Sequence, residues 1–227
     1  MSASSPLHGK RALVTGGNRG IGLEVVRLLD RLGLRVFLGS RDPDAGAAAA
    51  TDMPGVVPIQ IDVADPGSVE AAARALLPEG VDVVINNAGI RPKGAITPRD
   101  IEQAWQVNVL GSWRVARAFL GPMRERRWGR IVNVSTELAT HGHEPKGDIY
   151  AITKVTLNVM TRALAEEVAG TGILVNACSP GWCRSDMGGS SAPRSAEQGA
   201  QSIVWGVTLP DDGPVGGFYQ DGEPLPW

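Results

Sequence analysis

The chain of 227 residues has only two cysteines, Cys178 and Cys183. Their spacing fits neither CxxC nor a zinc-ligand pattern, so they read as reduced thiols. No uninterrupted apolar run approaches the roughly 18 residues that a membrane span needs. The start, MSASSPLHGK, lacks the charged head and apolar core of a signal peptide. Neither sign of charge dominates. The net charge is −2, which gives no basic field for nucleic acid or an acidic membrane surface. The expectation is a cytoplasmic protein that acts on a small molecule. What is present is 43% hydrophobic residues, enough for a sizeable core, in a length that suits one α/β domain.

Along the chain, short apolar runs alternate with amphipathic stretches. RALVTG (11–16), LRVFLGS (34–40), GVVPIQID (55–62), VDVVINNAG (81–89), GRIVNVS (129–135) and GILVNACSP (172–180) read as strands, with a last strand near GGFY. Ile21, Val25, Leu28, Leu29 and Leu32 share one face of a first helix that ends at Gly33. Asp65 followed by Pro66 marks another helix start, and Pro98 opens a long helix over 98–125. Helices are also expected over 148–169 and near 195–207. The strands are apolar on both faces. That predicts a doubly wound, Rossmann-type parallel sheet of about seven strands with helices on both sides, in a single domain over 1–227. Residues 188–204 read as a short substrate loop and lid helix.

Two local patterns carry chemistry. TGGNRGIG (15–22) joins the first strand to the first helix, with glycines at 16, 20 and 22. Such a turn lets backbone approach a pyrophosphate at a helix N-terminus, although a tight turn without a ligand has the same composition. Tyr150 and Lys154 stand one helical turn apart, so both can point from one face. An ammonium about 5 Å from the phenol, at an effective dielectric of about 20, favours phenolate by roughly 3 kcal/mol, or about two pKa units. A tyrosine–lysine pair is also an ordinary helix surface pair. The loop 137–148 adds His141, His143 and Glu144, too few ligands for a metal site.

With NNAG at 86–89 and the Tyr150–Lys154 spacing, the glycine turn resembles that of the short-chain dehydrogenase/reductase family. The resemblance runs from about residue 10 to the end, and the carbonyl-reductase-like branch is the most similar. It implies that Gly16, Asn18, Arg19, Gly20, Ile21 and Gly22 line a dinucleotide's phosphates. Asp62 and Val63 would meet the adenine, and Asn87, Ala88 and Gly89 the adenine ribose. Pro180, Gly181 and Cys183 would hold the nicotinamide end, beside Tyr150 and Lys154, and Ser185 would stand near the phosphates. Trp182 and Met187 would border the substrate, with His141 and His143 on the neighbouring loop. Asn108 would complete a proton relay to Lys154.

Cofactor choice follows from the second strand's end. An acidic side chain there suits a free ribose hydroxyl, whereas Ser40 and Arg41 suit a phosphate, so NADP(H) is expected despite Asp42. The family text after the fifth strand is V-S-S, and its second serine works. That register makes Thr136 the carbonyl-orienting hydroxyl, with Ser135 the substitute if the strand end is bulged. Neighbouring strand residues face opposite ways, so only one can serve. The expected activity is hydride transfer between NADP(H) and a carbonyl or alcohol. The alternatives are imine or enone reduction, non-redox chemistry with retained cofactor, or a cofactor-binding regulator. The resemblance also implies a homodimer or homotetramer built on the helices 98–125 and 148–169.

Overall fold

The computed structural model describes residues 7–140 and 148–227. Its strands are β1 (Arg11–Thr15), β2 (Arg35–Ser40), β3 (Val56–Gln60), β4 (Val83–Asn86), β5 (Gly129–Val134), β6 (Ile173–Cys178), β7 (Phe218–Gln220) and β8 (Glu223–Pro224). The helices are α1 (Gly20–Arg31), α2 (Pro43–Ala50), α3 (Pro66–Leu76), α4 (Pro98–Trp105), α5 (Ser112–Arg126), α6 (Ile149–Glu167) and α7 (Ala196–Thr208). They form one sheet in the order β3-β2-β1-β4-β5-β6-β7-β8. β1 pairs in parallel with both β2 and β4, and only the β7–β8 pair is antiparallel. The chain order reverses between β1 and β4, which opens a crevice at the carboxyl ends of those strands. The glycine turn leaves β1 into that crevice, and the NNAG segment leaves β4 into it.

Alternation along each strand builds two cores. Leu13, Phe37 and Ile131 pack on one side with Val69, Phe119 and Leu164. Val14, Leu38 and Val132 pack on the other with Val25, Leu29 and Ile203. Helix starts follow the sequence signals. Asp65 Oδ1 accepts from the Gly67 N–H at 2.9 Å, with Pro66 in the first turn. Thr97 and Asp100 form a reciprocal capping box ahead of α4. Pro58 sits in β3, an outer strand of the sheet, where a missing N–H is tolerated.

Three details add to the sequence reading. β7 is followed by a two-residue β8, so the sheet has eight strands instead of about seven. The long helix 98–125 is present but not uniform. A π-helical segment, Gln106–Gly111, separates α4 from α5. On α7, Ile203, Val204 and Val207 bury the inner face in the same core as α1 residues. No described helix is long and apolar enough to cross a membrane.

Candidate active site

The crevice holds a cavity of about 530 Å³. One end is walled by Ser40, Arg41 and Asp42 after β2, the middle by the glycine turn and NNAG, and the far end by Tyr150 and Lys154. Gly16 has a φ of +63, and a Cβ there would meet Ala88 Cα at 3.1 Å, so only glycine allows this approach of β1 to β4. Asn87 fastens the two ends together. Its Nδ2 donates to the Thr15 and Gly16 carbonyls at 2.9 and 3.0 Å, and Thr15 Oγ1 accepts from the Asn87 and Ala88 N–H groups. This asparagine therefore shapes the crevice rather than offering its amide to a ligand.

Of the residues that sequence assigned to a dinucleotide, Gly16, Asn18, Arg19, Gly20, Ile21 and Gly22 line the cavity. So do Ser40, Arg41, Asp62, Val63, Asn87, Ala88, Gly89, Tyr150, Lys154, Pro180 and Ser185. Gly181 and Cys183 do not. Cys183 is buried, with Sγ donating to the Pro180 carbonyl at 3.2 Å, and burial pushes its thiol pKa up. Ala45, Ile61, Ile90, Val107, Val134 and Asp186 are lining residues that the sequence reading missed, and Asp42, weighed there against NADP(H), lines the cavity too. Asp42 was readable as a helix cap. It precedes Pro43, and its Oδ1 accepts from the Asp44 and Ala45 N–H groups at 3.0 and 3.1 Å.

The donor set fits a phosphorylated dinucleotide. The N-terminus of α1 opens on the cavity, and Gly20, with a φ of +54, would place a Cβ 3.7 Å from Ser185, so the phosphate channel is lined by bare backbone. Asp42 Oδ1 caps α2, and Arg41 lines the cavity beside it as a cation suited to a phosphate. Ser40 Oγ donates to the Asp42 carbonyl at 2.7 Å and keeps only acceptor capacity, so the cation carries the phosphate preference.

At the reacting end, Tyr150 and Lys154 are both buried. Asp148 caps α6 by accepting from the Tyr150 N–H at 2.9 Å. Lys154 Nζ donates to the Val134 carbonyl at 2.6 Å and lies 5.7 Å from the Tyr150 ring centroid. Burial pushes the phenol up to about 12, with Arg91 opposing and Asp148 adding to the rise. Burial also pulls Lys154 down to about 8. The expected fall in the tyrosine pKa is therefore not seen, because desolvation outweighs the opposing field of Arg91.

Asn108 does not line the cavity. It sits in the π-helical segment, whose widened turn brings its side chain against the loop after β4. Oδ1 accepts from the Ile90 N–H at 2.8 Å, and Nδ2 donates to the Ile90 carbonyl and Thr153 Oγ1 at 2.9 and 3.0 Å. Its amide is thus occupied by protein, and its visible role is to hold Ile90 and α6 in place.

The two hydroxyls after β5 differ in access. Ser135 borders the cavity, yet its Oγ is buried and has no hydrogen-bond partner among the described residues. Thr136 is partly exposed. Its Oγ1 accepts from the Leu138 N–H at 3.4 Å, at the start of a 3₁₀ turn, Glu137–Ala139. That leaves the threonine O–H free to donate. Met187 lines the cavity, whereas Trp182 stands outside it, with Nε1 donating to the Gly188 carbonyl at 2.8 Å. His141 and His143 lie outside the described residues.

Comparison with known proteins agrees with this geometry. Residues 10–196 match the family model described as short chain dehydrogenase. The chain is similar to NADPH carbonyl reductase 1 of Mus musculus, at 34% identity across 100% of both chains. It is also similar to the 3-oxoacyl-(acyl-carrier-protein) reductase of Vibrio cholerae, at 36% identity over 80% of this chain and 76% of that one. Among solved structures, NADPH-bound carbonyl reductase from chicken fatty liver has a TM-score of 0.87 at 26% identity, covering 97% of this chain and 100% of that one. The chain belongs to the short chain dehydrogenase family.

Proposed function

We propose that this protein is an NADP(H)-dependent carbonyl oxidoreductase in which Tyr150 is the general acid and base. The supporting observation is a single cavity that runs from the Arg41 cation to the Tyr150 and Lys154 side chains. When bound, the cofactor supplies hydride transfer to or from the carbonyl carbon. The protein's own groups handle the proton and the geometry. Tyr150 donates its phenolic proton to the carbonyl oxygen in reduction and accepts it in oxidation. Lys154 stands behind it and stabilises the phenolate that forms. Thr136 offers a donor to the carbonyl oxygen, as an oxyanion-type ligand does. Asn108 keeps Ile90 and α6 in register with the cavity.

The assembly proposed is a homodimer or homotetramer. Ile101 and Trp105 on α4 and Ile152, Val155 and Val159 on α6 are exposed apolar residues on two helices. A cytoplasmic location is the setting that fits an NADPH-requiring enzyme with free thiols. The test is NADPH depletion over a panel of ketones and quinones. Wild type should turn over at least one of them, and Tyr150→Phe should lose about 10² to 10⁴ of kcat. Full turnover by Tyr150→Phe would remove the proposed role of the phenol.

A further inference from the structure

The loop after NNAG carries two cations, Arg91 and Lys93, which do not line the cavity themselves but contact two residues that do, Tyr150 and Asp186. Arg91 lies with its guanidinium carbon 5.5 Å from the Tyr150 ring centroid. One of its terminal nitrogens reaches Asp148 Oδ2 at 2.5 Å. Two residues on, Lys93 Nζ meets the Asp186 backbone carbonyl at 3.4 Å. Asp186 and Met187 line the cavity on that side, and Ile90 and Tyr150 on the other. The 90–93 loop therefore forms a rim between the phenol and the segment after β6.

The acids on this rim are already paired. Asp148 is held by Arg91, and the Asp186 carboxylate is held by Arg19 at 2.9 Å. Among the described residues, Lys93 has no carboxylate partner and makes one long bond to a carbonyl. Two ammonium protons remain unused, and Arg91 keeps most of its five N–H donors. The charged groups that act on Tyr150 are Arg91 and Asp148. Glu137 is also nearby, but its field registers at Cys183. Among the described residues, the Lys93 charge is thus left without a carboxylate, and free donors stand next to the proton-transfer group.

We propose that Arg91 and Lys93 select carbonyl substrates bearing a carboxylate a few bonds from the carbonyl. The selection rests on the carbonyl-oxidoreductase reading above. With the carbonyl oxygen at Tyr150 and Thr136, the remainder of the molecule extends over this rim. A carboxylate there bridges the Arg91 fork and the Lys93 ammonium, whereas a neutral ester leaves both charges to water. The same cations raise the local concentration of an anion before it docks, so the preference weakens with salt.

The test compares acids with their esters: pyruvate against methyl pyruvate, and levulinate against methyl levulinate, each with NADPH. Wild type should show a higher kcat/KM for the acid in at least one pair. That acid-to-ester ratio should fall roughly tenfold in Lys93→Gln and further in Lys93→Glu, as one charge at several ångströms in a partly hydrated site predicts. Arg91→Gln should lower the same ratio. It also frees Asp148, so its thermal midpoint is measured alongside. Raising ionic strength should shrink the wild-type ratio. An ester preference in wild type, or a ratio unmoved by both Lys93 substitutions, overturns the proposal. Turnover of neutral ketones with no turnover of either acid also overturns it, while leaving the carbonyl-oxidoreductase reading intact. No NADPH oxidation with any carbonyl probe overturns both.

Discussion

Replacing Lys154 with methionine should make the protein more stable and nearly inactive. The lysine is buried, and burial lowers its pKa from 10.5 to about 8. The unfolded chain keeps that proton up to about pH 10.5, while the folded chain releases it near pH 8. Between those values the folded state binds fewer protons, so this group makes stability rise with pH. At pH 7 the ammonium is held in the fold at a cost of about 3 kcal/mol, the difference of about 2.5 units at 1.36 kcal/mol each. Methionine has a similar shape and carries no charge. The substitution also orphans the Val134 carbonyl, which accepts from Nζ at 2.6 Å. That loss costs about 1–2 kcal/mol. The net expectation is a gain of roughly 1–2 kcal/mol at pH 7, or several degrees in Tm for a domain of this size.

The pH dependence separates this reasoning from a packing effect. The stability gap between Lys154→Met and wild type should shrink by about 1 kcal/mol from pH 7 to pH 9, as the wild-type lysine becomes neutral. Tyr150 works in the opposite sense and in a higher window. The fold holds its proton to about 12, against an ordinary 10, so it lowers stability only as pH rises from 10 to 12. Urea titrations followed by tryptophan fluorescence at pH 7, 8 and 9 measure the gap. A gap that does not change with pH would falsify the assignment of this cost to the charged lysine. Turnover should fall by at least about 10²-fold in the same variant. The site then trades stability for a positioned cation.

The remaining predictions concern the hydroxyls, the cofactor and the assembly. Thr136→Ala should lower kcat by roughly 10²-fold, as loss of an oxyanion-type donor does, and Thr136→Ser should keep most activity. Ser135→Ala should stay active and gain about 1 kcal/mol in stability, because it deletes a buried hydroxyl with no partner among the described residues. An inactive Ser135→Ala beside an active Thr136→Ala reverses the assignment. Arg41→Gln should weaken NADPH by roughly tenfold or more and NADH much less, read by cofactor fluorescence, since one charge-assisted contact to phosphate is removed. Equal losses for both cofactors would place Arg41 away from the phosphate. Light scattering at micromolar concentration should give a dimeric or tetrameric mass, and Val159→Glu, on the exposed face of α6, should dissociate it. A monomeric wild type counts against that surface as an interface.

The architecture was legible because its determinants are local. Apolar runs of strand length, a glycine turn and proline-led helix starts each act within a few residues, and together they admit a doubly wound sheet. The breaks in that reading came from tertiary partners. Nothing in WQVNVLG distinguishes a π-helical turn from an α-helical one until Asn108 has Ile90 and Thr153 to bond. The apolar face of α7 reads as a lid helix in the sequence, and its packing in the α1-side core is a tertiary fact. β8 is two residues long, too short for any periodicity.

The site shows the same division. Glycine positions and the Tyr150–Lys154 spacing are sequence properties, and the residues they mark meet at one cavity. Protonation is a property of burial. The sequence argument placed a cation one turn from the phenol and deduced a lowered pKa. In the fold, that cation turns toward the Val134 carbonyl, and both groups lose water. Desolvation then favours the neutral form of each, so the phenol rises as the ammonium falls. A pair poised this way has a proton on the tyrosine and a weakened hold on the one at lysine. That is the resting state a carbonyl reduction needs, because the phenol must arrive protonated. The lysine's charge matters later, when a phenolate forms beside it in a cavity of low dielectric. Only a spacing can be read from Tyr150-x-x-x-Lys154; the buried strand end opposite it determines where the protons rest.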